Sequence, residues 1–338
     1  MSLSEAIFNR PACQVLGFLM GVILSFGGVG SHAGYENNEN VRLFIEEFSS
    51  EENFGATELR ELFTQAEKKQ SIIDAISRPA EKTKAWHDYR KIFVTTQRAE
   101  QGVLFYHKHH KTLERAEREF GVPREIIIAI IGVETRYGQH RGNYRVLDAL
   151  STLAFDYPKR SKFFRKELKH FLILAREQQF SPENLMGSYA GAMGYGQFMP
   201  SSYRSYAIDF DGDSRIDIWN NPVDSIGSVA NYIKRHSWRT GDPVISHAKV
   251  DSTYTENWAN EGLKPKRTLS EFAAAGIISY DSLNMDSKVT LMRLDGATGE
   301  EFWIGLHNFY VITRYNHSAM YAMSVYQLAQ EIRTRIDN

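Results

Sequence analysis

A chain of 338 residues is too long for one small module and implies two or three domains. Its 42% hydrophobic and 24% charged residues exclude a disordered chain, and 40 Lys+Arg against 41 Asp+Glu leave a net charge of −1. That balance lacks the basic excess of a nucleic-acid binder, so DNA and other nucleic acids are not expected partners. A single cysteine, Cys13, excludes an intrachain disulfide and a cysteine-rich zinc site.

The first elements read as an export signal. Arg10 supplies a positive charge, Val15 to Phe26 form an apolar run, and Ser31-His32-Ala33 offer the small residues of a cleavage site. The run is shorter than the about 17–25 residues of a membrane span. Residues 1–33 are therefore read as a cleavable signal peptide, with an uncleaved N-terminal anchor as the alternative. Cys13 precedes the run, where a lipoprotein cysteine would follow it.

From Asn40 to about Phe120 the pattern is helical. Val41, Phe44, Ile45 and Phe48 share one face, as do Leu59, Leu62, Phe63 and Ala66, and Leu113, Ala116 and Phe120. Pro79 interrupts this pattern. His107 and His110 share a helix face but have no acidic or thiol partner nearby in sequence, which favours a plain surface over a metal site. Pro123 suits a helix start. The helix it opens, Arg124 to Thr135, is apolar nearly all round and so is expected to be buried. Helices are predicted over 147–154, 160–178, 183–189 and 224–236. Between Val244 and Trp303 the texture alternates. Lys288 to Leu294 reads as strand and Asp295-Gly296 as a turn. A last helix is predicted over 318–335.

Glu134 ends the apolar helix. A carboxyl group there loses water, which raises its pKa toward that of a general acid working near neutral pH. A salt bridge to Arg136 or Arg141 is the alternative. A second segment, Ser188-Tyr189-Ala190-Gly191-Ala192-Met193-Gly194-Tyr195-Gly196-Gln197-Phe198-Met199-Pro200, combines glycines that permit close backbone approach with the neutral hydrogen-bonding groups of Ser188 and Gln197.

Together, Gly132 to Gly138 and Ser188 to Pro200 resemble the paired motifs of lytic transglycosylases of the lysozyme superfamily, in particular the lytic murein transglycosylase B family in its soluble form. Ser151 to Pro158, Asp209 to Tyr232 and Ile312 to Ser318 extend the resemblance from about residue 80 to the C-terminus. It implies a mainly α fold: a lysozyme-like α+β catalytic core with an N-terminal helical domain and a small β-containing domain. The implied boundaries are 34–120 for the helical domain, 121–240 for the core, 241–305 for the β-containing domain and 306–338 for a segment returning to the core.

The implied activity is cleavage of the β-1,4 bond between N-acetylmuramic acid and N-acetylglucosamine in peptidoglycan, closing a 1,6-anhydro-muramoyl end. Glu134 would be the single acid and base. Ser188, Gln197, Tyr232, Tyr315, Asn316 and Tyr321 match groove positions, and Lys159 and Arg160 match a basic pair near the groove. Core packing remains the alternative for Tyr232 and Tyr321, and a solvated helix start for Lys159-Arg160. Neither motif holds a second acid, which disfavours a hydrolytic muramidase. A non-catalytic peptidoglycan-binding protein is the other alternative. The expected setting is periplasmic, as a monomer acting on glycan strands, with other cell-wall enzymes as possible partners.

Asp209-Phe210-Asp211-Gly212-Asp213-Ser214-Arg215-Ile216-Asp217 starts like an EF-hand loop. Asp209, Asp211 and Asp213 occupy the first three ligand positions, and Arg215 the position that offers a backbone carbonyl. Ser214 stands where glycine is expected and Asn220 where a bidentate glutamate is expected. The resemblance supplies a later acid, Asp224, despite one extra residue in Trp219-Asn220-Asn221-Pro222. A structural Ca2+ is expected there and no catalytic cofactor; a solvated acidic turn is the alternative.

Overall fold

The computed structural model describes residues 34–78, 84–252, 254 and 256–337; residues 1–33, read from the sequence as a signal peptide, and Pro79 lie outside them. Helix α1 (Glu39–Glu52) starts where the Asn38 side chain accepts hydrogen bonds from the amides of Asn40 and Val41, and it stops at left-handed Asn53. Helices α2 (Ala56–Gln65), α3 (Gln70–Ser77) and α4 (Trp86–Phe93) follow. The long α5 (Thr96–Phe120) is capped by the Thr95 hydroxyl and ended by left-handed Gly121. Then comes α6 (Arg124–Thr135), buried from Ile126 to Thr135 as its composition predicts.

Strand β1 (Tyr144–Arg145), α7 (Val146–Phe155) and α8 (Ser161–Glu177) come next. The helix predicted over 183–189 is absent. Pro182–Asn184 form one 3-10 turn, and β2 (Met186–Gly187) pairs antiparallel with β1. The Leu185 carbonyl accepts from the Val146 amide, which starts the strand pairing in place of a helix. Helix α9 (Pro200–Tyr206), which the sequence reading missed, and α10 (Pro222–Arg235) follow.

The alternating stretch becomes β3 (Ile245–Val250), β4 (Arg267–Thr268), α11 (Leu269–Ala274), β5 (Ile277–Ser279), β6 (Lys288–Asp295) and β7 (Glu300–Gly305). The strands make one antiparallel sheet in the order β4-β6-β7-β3-β5. Helices α12 (His307–Tyr315) and α13 (Ala319–Asp337) complete the chain. The fold is mainly helical with a small five-stranded antiparallel sheet and the two-stranded β1-β2 pair, as the sequence predicts.

Two compact units divide the described residues. One holds 84–137 and 226–337, the other 34–78 and 138–225. In the first, α6 packs against α5 and α13, and the sheet has its own core of Ala248, Leu269, Phe272, Ile277, Val289, Leu291, Ile304 and Leu306. In the second, Phe44 of α1 meets the rings of Phe48, Phe63 and Phe155, so that α1, α2 and α7 share one aromatic core.

Candidate active site

The apolar surface of α6 drives the helix inward and carries Glu134, its penultimate residue, with it. Glu134 is 8% exposed. Its Oε1 accepts a 2.6 Å hydrogen bond from the Tyr321 hydroxyl of α13, 187 residues away in sequence. Burial pushes its pKa up to about 7, and the Tyr321 bond pulls in the opposite direction. No charged group contributes to this shift. The salt-bridge alternative fails: Arg136 reaches Gln97, and Arg141 donates to the carbonyl of Trp219.

The same unit gathers the C-terminal residues. Tyr315 ends α12 and is driven to higher pKa by burial and by the Glu134 carboxylate. The Tyr232 ring meets Tyr315 edge-on at 4.7 Å, and its hydroxyl donates to the Arg314 carbonyl at 2.6 Å. Asn316 leaves the helix in extended geometry and holds its Oδ1 buried without a protein partner. A buried acceptor left open is costly unless a ligand or water fills it.

Ser188, Gln197, Lys159 and Arg160 belong to the other unit. Ser188 Oγ accepts from the Ala192 amide at 3.0 Å, which leaves its own proton free to donate. Gln197, left-handed at φ 51, donates Nε2 to the carbonyls of Gly194 and Arg141. Both amide protons are thereby committed, and its side-chain oxygen faces outward chemistry only as an acceptor. Gly194 has no room for a side chain: a Cβ there would lie 2.3 Å from the Ile218 carbonyl. Arg160 lies over the Phe163 ring at 4.4 Å, and Lys159 is exposed.

The acidic loop lies in this unit too. One carboxylate oxygen from each of Asp209, Asp211 and Asp213 falls within 4.8 Å of the others. Asp209 accepts from the amides of Gly212, Asp213 and Ser214, which winds the loop around its first ligand. Ser214 adopts φ 71, the left-handed backbone that glycine usually supplies. Asp224 is fully buried, and its two oxygens accept from Phe210 N and Asp217 N, each at 2.8 Å, so it braces both ends of the loop. Three clustered carboxylates with preset backbone suit a hard cation, whose charge would relieve their repulsion. Among the described residues, His107, His109 and His110 form no such group.

Sequence reasoning missed Arg98, which is buried in α5 and donates to the Gly132 carbonyl at 2.9 Å. The only available signal was a charge on an otherwise apolar helix face.

Comparison with known proteins places this geometry. The Transglycosylase SLT domain family matches residues 36–330. Membrane-bound lytic murein transglycosylase B of Escherichia coli (strain K12) is 46% identical over 307 residues, covering 88% of this chain and 84% of the relative. The catenated lytic transglycosylase SltB1 of Pseudomonas aeruginosa is 55% identical and superposes with a TM-score of 0.87 over 89% of this chain and 99% of that one. Lytic transglycosylase Slt35 of Escherichia coli, solved in complex with calcium, is 45% identical, with a TM-score of 0.83 over 90% of this chain and 96% of that one. The chain belongs to the transglycosylase SLT-domain family, in the group that includes lytic murein transglycosylase B.

Proposed function

We propose that this chain is a lytic transglycosylase that cleaves the β-1,4 bond between N-acetylmuramic acid and N-acetylglucosamine in peptidoglycan and closes a 1,6-anhydro-muramoyl end. The observation that carries this reading is Glu134: a buried carboxylic acid with a pKa of about 7, one neutral hydrogen-bond partner and, among the described residues, no second carboxylate acting on it. Hydrolysis by a carboxylate pair needs a second acid about 5–10 Å away. A lone acid instead suits a route without water.

In this route Glu134 gives its proton to the glycosidic oxygen, and the bonding electrons leave with the N-acetylglucosamine O4. The muramoyl N-acetyl carbonyl supports C1 as positive charge develops. The Glu134 carboxylate then takes the C6 hydroxyl proton while O6 bonds to C1, which restores the acid. For the amide and hydroxyl groups of the glycan, one unit offers the Asn316 Oδ1 acceptor, and the other offers the Gln197 Oε1 acceptor and the Ser188 hydroxyl donor. The rings of Tyr232, Tyr315 and Tyr321 line the sugar, and Lys159 and Arg160 attract stem-peptide carboxylates. Residues 121–240 and 306–338 make the catalytic core, since they carry all of these groups, with 34–120 and 241–305 as the helical and β-containing domains.

Export to the periplasm through the 1–33 signal, action as a monomer and cooperation with other cell-wall enzymes complete the reading. Among the described residues no helix is long and apolar enough to cross a membrane. Digestion of purified sacculi tests the activity: mass spectrometry of the released fragments is expected to find anhydro-muramoyl ends. Reducing ends would indicate a muramidase, and binding without release a non-catalytic module.

Tyr321→Phe removes the hydrogen bond that lowers the Glu134 pKa. The expected result is an alkaline limb of the pH–kcat profile shifted upward by about one pH unit, since that hydrogen bond favours the charged form. An unshifted limb would contradict the assignment of the acid.

A structural Ca2+ fits the Asp209, Asp211, Asp213, Arg215 and Asp224 positions, and Asp224 also braces the loop through the amides of Phe210 and Asp217. Calcium at about 100 times its Kd is expected to stabilise the fold by about 2.7 kcal/mol, and chelation to reverse the gain. An Asp211→Ala melting curve that responds to calcium as the wild type does would remove the site.

A further inference from the structure

We propose that Arg98 and Tyr137 form a clamp that positions Glu134 for proton transfer; the inference rests on the reading of Glu134 as the acid. Arg136 and Tyr137, at φ 50 and φ 60, turn the chain back on itself at the end of α6. Consecutive left-handed residues without glycine are unfavourable, about 1–2 kcal/mol each. In return the Tyr137 ring seats in a slot between α5 and α6. A Cβ on Gly132 would come within 2.6 Å of that ring, and one on Gly102 within 2.7 Å of its hydroxyl. The Tyr137 hydroxyl donates to the Arg98 carbonyl at 2.7 Å. The Arg98 guanidinium donates back to the Gly132 carbonyl at 2.9 Å. The circuit thus grips the chain two residues before Glu134 and three residues after it.

Arg98 is an expensive residue to place there. It is 8% exposed, its Nε is buried without a partner, and among the described residues no carboxylate pairs with it. An apolar side chain of similar volume would favour stability at such a position. Its contacts are the Phe93 ring at 5.6 Å and the carbonyl end of α6, where the helix carries partial negative charge. That is the end that bears Glu134. The Tyr321–Glu134 bond is 2.6 Å long, and drift of the α6 terminus by about 1 Å would break it and misplace the acid.

The test compares Tyr137→Phe, Arg98→Met and Arg98→Lys with Glu134→Gln on soluble glycan fragments, well below each melting temperature. Tyr137→Phe keeps the ring in its slot and removes only the hydroxyl bond, so it carries the test even where Arg98→Met fails to fold. The clamp predicts a kcat lowered roughly 10- to 100-fold with KM within about twofold. It also predicts an upward shift of the alkaline limb, as in Tyr321→Phe, and partial recovery in Arg98→Lys relative to Arg98→Met. Wild-type kcat and an unshifted pH profile in folded Tyr137→Phe would overturn the clamp, whatever the melting temperature. A fully active Glu134→Gln would instead overturn the reading of the acid, so the two failures are distinct.

Discussion

Glu134→Gln is expected to lower kcat on sacculi by about 10²–10⁴, the usual contribution of a positioned acid–base group, while leaving binding of the glycan intact. Glutamine keeps the side-chain shape and still accepts the Tyr321 hydroxyl proton, but it has no proton to give the departing oxygen. The same substitution carries a stability signature. The folded-state pKa of Glu134 is about 7, above the ordinary 4.5, so the folded chain holds this proton more tightly than the unfolded chain does. The stability contributed by that proton is present below about pH 4.5 and is lost as pH rises through about 7. Above that, the buried carboxylate costs on the order of 3 kcal/mol. Glutamine escapes this cost. Thermal melts are expected to show Glu134→Gln more stable than wild type near pH 8, with the difference vanishing near pH 4. A variant that is inactive but less stable at both pH values would point to misfolding rather than to a lost acid.

The largest purely structural effect is expected at Asp224. Asp224→Ala leaves the amides of Phe210 and Asp217 without acceptors in a site where Asp224 itself is fully buried. Each abandoned donor costs about 1–3 kcal/mol, so the loss is expected to total roughly 2–6 kcal/mol in urea unfolding. Asp224→Asn retains one carboxyl-type oxygen and is expected to lose about half as much. Response to calcium should weaken in both, because the loop is no longer closed at both ends. An alanine variant within about 0.5 kcal/mol of wild type would show that the loop holds itself.

Local features of this molecule are legible along the chain where one physical cause dominates. Helix α6 is apolar on every side from Ile126 to Val133, so its burial and the desolvation of Glu134 follow from composition alone. The acidic loop is legible from ligand spacing, and the serine at its sixth position takes the left-handed backbone despite its side chain. The stretch 183–189 misled because Leu185 and Met186 carry an apolar signal that does not distinguish a helical turn from a two-residue strand. Helix α9 was missed because it is only seven residues long, its opening Pro200 included. Partnerships across the chain were not legible at all. Tyr321 meets Glu134 over 187 residues and Tyr137 meets Arg98 over 39, and no periodicity encodes such pairs. The role of Asp224 shows the same limit: its position along the loop suggests a ligand, and the amides of Phe210 and Asp217 that its two oxygens also accept from are not legible in the spacing.

The central claim is that a single carboxyl group closes the muramoyl ring on itself without water. Digestion of sacculi in heavy-oxygen water, followed by mass spectrometry of the newly formed muramoyl ends, tests it most directly. Ends lighter by one water and free of label are predicted; heavy oxygen at the muramoyl C1 would contradict the account.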